Sequence, residues 1–117
     1  MGLQALRRGG QAFLHRVFTP AEEAYAQARP RTRLLHLAGR FAAKEAVFKA
    51  FGDGVVKGAD WKDIEIQNNK NGKPIVILSG GVEKLRLKRK IKEVIISLSH
   101  TRNYATATAI LIGNSKS

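Results

Sequence analysis

The sequence contains no cysteine, which excludes disulfide bonds, thiolate metal sites and a cysteine nucleophile. It also contains no uncharged apolar run of roughly 18 residues, the minimum that a membrane-spanning helix needs. Residues 1–16 are broken by charges and have no apolar core, so they do not resemble a secretory signal. We therefore expect a cytoplasmic protein with no membrane partner.

Acidic residues are scarce: the sequence contains 9 Asp and Glu but 21 Lys and Arg, so its net charge is +12. Such an excess predicts an anionic partner, whether a nucleic acid, an anionic cofactor, an acidic protein or a membrane surface. Charge alone does not choose among these. The length of 117 residues fits one domain, residues 1–117.

The first half of the chain has the pattern of helices. Residues 1–16 predict a helix that two adjacent glycines interrupt. TPAEEAYAQA (19–28) predicts a second helix, with Thr19 as its N-cap and Pro20 at its first position. A third helix is predicted over residues 32–51, where glycines follow.

The second half of the chain has the period of strands. WKDIEIQ (61–67) and IVIL (75–78) flank a turn signal and predict a hairpin. EVIISLSH (93–100) and NYATATAILI (103–112) predict two more strands, and residues 80–90 predict a short basic helix or loop. Helices followed by mostly antiparallel strands indicate the α+β class.

A glutamate interrupts the apolar end of the third predicted helix. Eight of the 11 residues in 41–51 are apolar. Successive residues of a helix lie about 100° apart around its axis, and at this spacing Glu45 falls on the same face as the apolar residues. Arg40 and Lys44 point elsewhere. One interpretation is a shielding pair with Lys49, which contributes only about 0.2–0.5 kcal/mol. The other is a carboxylate delivered into a cleft that binds a metal or a reacting group, with Lys49 beside an anionic substrate.

Polar residues also stand near the ends of the predicted strands. His100 ends the run VIISLSH, between Ser99 and Thr101, whose hydroxyls can bind phosphate oxygens. The alternative is a structural histidine at the edge of a sheet. Gly72-Lys73-Pro74 is most simply part of a hairpin turn, although its backbone and Lys73 could contact a ligand.

Several blocks of the chain together resemble one family, the holo-acyl-carrier-protein synthases. They are FTPAEEAYA (18–26), GRFAAKEAVFKAFGDG (39–54), WKDIEI (61–66), NGKP (71–74) and SLSHTRNYATATAI (97–110). The blocks follow one another in the family's order and cover most of the chain. A combination of this kind is far more specific than a single short motif.

The resemblance implies a magnesium-dependent 4′-phosphopantetheinyl transferase. Such an enzyme moves the phosphopantetheine arm of coenzyme A to a serine of apo acyl carrier protein, in fatty acid biosynthesis, and releases adenosine 3′,5′-bisphosphate. The fold implied is a small α+β domain with a mainly antiparallel three-stranded sheet. The family works as a homotrimer with sites between subunits, so we expect this assembly and no nucleic-acid partner.

The resemblance also implies roles for individual residues. Glu45 is the magnesium ligand and helps to take the proton of the attacking serine, directly or through a metal-held water. Lys49 stabilises the pyrophosphate or protonates the leaving group, and His100 is the third catalytic residue. The coenzyme-binding residues implied are Lys44, Gly72, Lys73, Pro74, Ser99, His100 and Thr101.

The carrier protein is acidic, and the first helix offers a basic surface for it. Arg7, Arg8 and Arg16, with Phe13 nearby, resemble the family's docking surface. The alternative is that these arginines only form a solvated face.

The sequence departs from the family in one respect. The family begins with a strand GxGxDIxE, whose aspartate is the second magnesium ligand, and by alignment this aspartate would lie before Met1. The aspartates present, Asp53, Asp60 and Asp63, do not occupy that position. We therefore expect either a missing strand or another ligand, and the alternatives are a non-catalytic relative that binds coenzyme A or the carrier and a basic nucleic-acid-binding module.

Overall fold

The computed structural model describes residues 3–52 and 59–113. Within them the elements are α1 (Leu3–Val17), α2 (Pro20–Gln27), α3 (Arg33–Phe51), β1 (Ile64–Asn68), β2 (Pro74–Leu78), α4 (Gly80–Lys88), β3 (Ile91–His100) and β4 (Ala105–Gly113). Short 3₁₀ turns at Pro30–Thr32 and Trp61–Asp63 precede α3 and β1. The order of helices and antiparallel strands confirms the α+β class.

The helix signals in the sequence are confirmed at both α1 and α2. Gly10 has φ 68° and ψ −172°, so α1 consists of two helical pieces joined at the glycines. Thr19 caps α2, because its hydroxyl accepts a hydrogen bond from the Glu22 amide at 3.2 Å. The Glu22 carboxylate in turn accepts one from the Thr19 amide at 2.9 Å, which completes a capping box.

The prediction of one three-stranded sheet is wrong. The described strands form two separate antiparallel sheets of two strands each, β1–β2 and β3–β4. A cavity of about 600 Å³, lined by both β2 and β3, opens between these two neighbouring strands. Their facing edges therefore pack near each other without sharing a hydrogen-bond ladder.

Helix α3 lies between two groups of buried apolar side chains. Its first half packs with α1 and α2 around Phe18, Leu37 and Phe41. Its second half packs against both hairpins through Val47 and Phe51. Among residues 3–52 and 59–113, no helix has the length and apolar character that crossing a bilayer requires.

Candidate active site

A cavity of about 460 Å³ lies where the first half of α3 faces the end of β3 and the β1–β2 turn. Its lining includes Gly72, Lys73, Pro74 and His100, which are far apart in the sequence and which the sequence predicted as coenzyme-binding residues. The structure therefore brings these four predicted residues together. We call this space the α3–β3 cavity.

Arg40 supplies the buried cation of the α3–β3 cavity. Its side chain is only 4% exposed, its Nη2 donates to Asn68 Oδ1 at 2.7 Å, and its guanidinium lies 4.3 Å from the centre of the Tyr25 ring. Burial lowers the pKa of Arg40, although the Glu22 carboxylate and Tyr25 oppose this shift. Its buried Nε has no partner in the described part of the chain. An orphaned donor on a buried guanidinium favours an anionic acceptor such as a phosphate oxygen.

Two histidines lie beside this guanidinium in the same cavity. Burial lowers the pKa of His36, and the neighbouring Arg40, Arg29 and His100 lower it further. At Gly39 an added Cβ would lie 2.7 Å from His100 Nε2, so only glycine lets the histidine approach α3 this closely. The cavity thus combines the positive charges of Arg40 and Lys73 with two imidazole rings, and this charge favours an incoming anion.

A second, shallower space lies further along α3, against the start of β4. It has a volume of about 200 Å³, and Glu45, Lys49, Tyr104 and Thr106 contribute to its wall. Glu45 is half-buried and Lys49 is exposed. No ion pair joins the two side chains within the described structure, so the shielding pair considered from the sequence does not form. The Glu45 carboxylate is therefore available for a cation. We call this space the Glu45 pocket.

Lys44 does not fit the predicted role of a coenzyme-binding residue. Its side chain is 0% exposed, and Nζ lies 2.7 Å from the Glu22 carboxylate. The same Nζ donates to the carbonyls of Val17 at 2.9 Å, Ile64 at 2.7 Å and Trp61 at 3.2 Å. Burial lowers the pKa of Lys44 and Glu22 raises it. This cation is already fully partnered inside the core, so we correct the prediction and assign Lys44 a structural role.

Other predicted residues lie outside the α3–β3 cavity. Ser99 is exposed on β3, and Thr101 belongs to the β3–β4 turn, where its amide donates to the Tyr104 carbonyl at 2.8 Å. Neither lines the cavity, whereas Ser97 does. Coenzyme contact by Ser99 and Thr101 stays a prediction.

The predicted docking surface on α1 is partly exposed. Arg7, Arg8 and Arg16 face solvent. Phe13 is half-buried and packs on Phe41, with 5.9 Å between the ring centres. The arginines are accessible to a partner, while Phe13 also contributes to the core.

The predicted magnesium site has one carboxylate in the structure. Asp60 and Asp63 cap the Trp61–Asp63 turn, and Asp63 also accepts from the Gly81 amide at 3.1 Å. Asp53 lies outside the described residues. No group of three or more metal-ligating side chains occurs among residues 3–52 and 59–113. Because Mg²⁺ accepts one or two protein carboxylates together with water and substrate oxygens, Glu45 alone fits such an ion only when a phosphate substrate supplies further ligands.

Sequence reasoning missed three functional candidates, Arg40, His36 and Asn68. The helical angles predict that Arg40 points away from the cleft, yet it is the most buried cation of the α3–β3 cavity. The available signal was its place in an apolar helix, where an arginine needs a specific partner.

Comparison with known proteins agrees with this geometry. Residues 3–109 match the family model described as the 4′-phosphopantetheinyl transferase superfamily. The holo-[acyl-carrier-protein] synthase of Protochlamydia amoebophila is 49% identical over 105 residues, which cover 90% of this chain and 83% of that protein.

Solved structures of such synthases share the fold. The Neisseria meningitidis enzyme superimposes with a TM-score of 0.84 at 30% identity, covering 95% of this chain and 91% of that one. The Bacillus anthracis enzyme, solved in complex with CoA (3′,5′-ADP), gives a TM-score of 0.79 at 34% identity, covering 97% and 91%. The chain belongs to the 4′-phosphopantetheinyl transferase superfamily and, within it, to the holo-[acyl-carrier-protein] synthases.

Proposed function

We propose that this protein transfers the 4′-phosphopantetheine group of coenzyme A to a serine of apo acyl carrier protein and releases adenosine 3′,5′-bisphosphate. The observation that carries the proposal is the convergence of Gly72, Lys73, Pro74 and His100 on one cavity, beside the partnerless Nε of Arg40. Such a reaction would serve fatty acid biosynthesis in the cytoplasm.

The α3–β3 cavity would hold the nucleotide end of coenzyme A. Arg40, Lys73 and His100 line this cavity and offer donors and positive charge to phosphate oxygens. Bound phosphate would also favour protonation of His36, whose pKa is lowered by burial and by the neighbouring Arg40, Arg29 and His100.

The Glu45 pocket would hold the reacting groups. The serine oxygen bonds to the phosphorus that carries the pantetheine arm, and the bond from that phosphorus to the bridging oxygen breaks. Glu45, directly or through a water, would take the serine proton, while Lys49 would stabilise or protonate the departing phosphate oxygen. Mg²⁺ held by Glu45 and substrate phosphates would supply charge neutralisation during this transfer.

The carrier protein would approach along α1. Arg7, Arg8 and Arg16 are exposed cations, and an acidic carrier is their electrostatic complement. Docking there rests on the family resemblance and on this exposure.

We further propose that the protein assembles as a homotrimer with sites between subunits. The outer face of β3–β4 presents the cross-strand pair Ile95 and Ile110, which are 37% and 57% exposed, with Ile112 at 36%. β-branched side chains exposed side by side are typical of a face that packs on another copy. Light scattering after size-exclusion chromatography would give the mass of three chains.

Transfer is tested by using chromatography to measure the adenosine 3′,5′-bisphosphate that forms from coenzyme A. We expect product only with both Mg²⁺ and apo carrier, and none when alanine replaces the carrier's acceptor serine. Fusing the family's GxGxDIxE segment before Met1 would add the second carboxylate, and we expect it to raise the rate. Coenzyme binding without product in either form would favour a non-catalytic relative, because the described Glu45 pocket contains one carboxylate.

A further inference from the structure

The run KLRLKRKIK at residues 84–92 is a concentration of charge that the proposed reaction does not use. It covers the end of α4, the turn that follows and the start of β3. Lys84, Lys88, Arg89, Lys90 and Lys92 are all exposed. We call these five residues, together with Leu87, the α4 basic patch.

Most of this charge is uncompensated within the described structure. Arg86 is the exception, because its Nε lies 2.5 Å from the Glu83 carboxylate and its Nη1 donates to the Ile91 carbonyl at 2.8 Å. Hydrogen bonding from Arg86 lowers the pKa of Glu83, so this acid is ionised but already neutralised. The side chains of the four patch lysines make no hydrogen bond or ion pair with any described residue. Arg89 donates to the Phe51 carbonyl at the end of α3.

An exposed leucine lies within this charge. Leu87 is 60% exposed, and Lys84 lies one turn before it on the same face of α4, while Lys88 is its neighbour in the sequence. One exposed leucine is common on protein surfaces. This leucine is an exposed apolar side chain close to two lysines that form no ion pair with any described residue.

The backbone at Lys90 provides an independent observation. Lys90 has φ 57° and is the one non-glycine residue with positive φ among those that the structure describes. It follows the last turn of α4, where glycine is the favoured residue because a β-carbon is strained there. The chain thus keeps a lysine where folding alone would favour glycine.

We propose that the α4 basic patch binds reversibly to the surface of an anionic lipid bilayer. Lysine side chains are long and flexible, so they can follow mobile lipid headgroups. Leu87 can insert at the boundary between the headgroups and the acyl chains. Residues 80–99 contain no aromatic side chain, so the patch and its surroundings in the sequence lack the stacking platforms that single-stranded nucleic acid requires. The proposal revises the expectation of no membrane partner, because it concerns contact with a surface rather than a span.

The test measures flotation of the full chain with vesicles of phosphatidylcholine alone and of phosphatidylcholine mixed with phosphatidylglycerol. We expect binding only to the anionic vesicles, weakening as salt rises. The double variant Lys84→Gln/Lys88→Gln should bind roughly 10- to 30-fold more weakly, because each lysine near such a surface contributes about a fivefold factor. The matched control Lys62→Gln/Lys70→Gln removes two exposed lysines elsewhere and should lose much less.

Lys90→Gly separates binding from folding. This variant should melt at the same or a higher temperature, since glycine removes the strain that a β-carbon causes in left-handed backbone. It should nevertheless bind anionic vesicles roughly fivefold more weakly. Unchanged vesicle binding in this variant, or equal losses in the two double variants, would overturn the proposal. So would tighter binding to a single-stranded RNA oligonucleotide than to anionic vesicles at the same salt concentration.

Discussion

Replacing Lys44 by methionine should destabilise the fold more than any other removal of a lysine from the described residues. Methionine fills a similar volume but leaves the Glu22 carboxylate, 2.7 Å from Nζ and fully buried, without its cation. The carbonyls of Val17, Trp61 and Ile64 lose their donor as well. Breaking a buried ion pair by removing one partner costs about 3–5 kcal/mol, out of a total of roughly 5–15 kcal/mol for a domain.

The measurement is urea and thermal unfolding of Lys44→Met beside Lys49→Met. Lys49 lies on the same helix but is exposed, so its replacement should cost less than about 0.5 kcal/mol. For a chain of this length we expect Lys44→Met to lower Tm by about 10–20 °C. Adding Glu22→Gln removes the unpaired charge and should restore part of the loss. A cost below about 1 kcal/mol for Lys44→Met would refute the reasoning.

Three further outcomes follow from the two spaces beside α3. Glu45→Gln should lower the transfer rate by about 10²- to 10⁴-fold in steady-state assays at unchanged Tm, because it removes the proton acceptor. Gly39→Ala should weaken binding of adenosine 3′,5′-bisphosphate, measured by calorimetry, because its Cβ would displace His100. The pKa of His36 in the folded chain lies below its ordinary value of 6.5. As pH falls, His36 is therefore protonated in the unfolded chain at a higher pH than in the folded chain. The free energy of unfolding should therefore drop as pH falls below about 6.5, and His36→Gln should flatten this loss in urea titrations.

The local elements of this fold follow from local sequence signals. Thr19 and Pro20 set the start of α2, and the glycines near Gly10 break α1, because caps and positive φ depend on neighbouring residues. The division of the described strands into two separate sheets was not predictable in the same way. Whether β2 and β3 share a ladder depends on how two distant hairpins pack, and a cavity lies between them.

The candidate site was predicted in part. Glu45 and His100 stand out because polar residues within apolar patterns need an explanation from function. The helical angles predict that Arg40 and Lys44 point away from the apolar face, and the family resemblance implies that Lys44 contacts the coenzyme. Both are buried, because the α1–α2 corner and the β1–β2 hairpin cover that side of α3. Such coverage comes from tertiary packing, which one helix's periodicity does not contain.

The intact mass of an apo acyl carrier protein, recorded after incubation with this protein, coenzyme A and Mg²⁺, tests the central claim most directly. The account predicts a gain equal to one phosphopantetheine group, confined to the acceptor serine and lost in Glu45→Gln. A carrier of unchanged mass, both with the chain as written and with the family's first strand fused to it, would contradict the account.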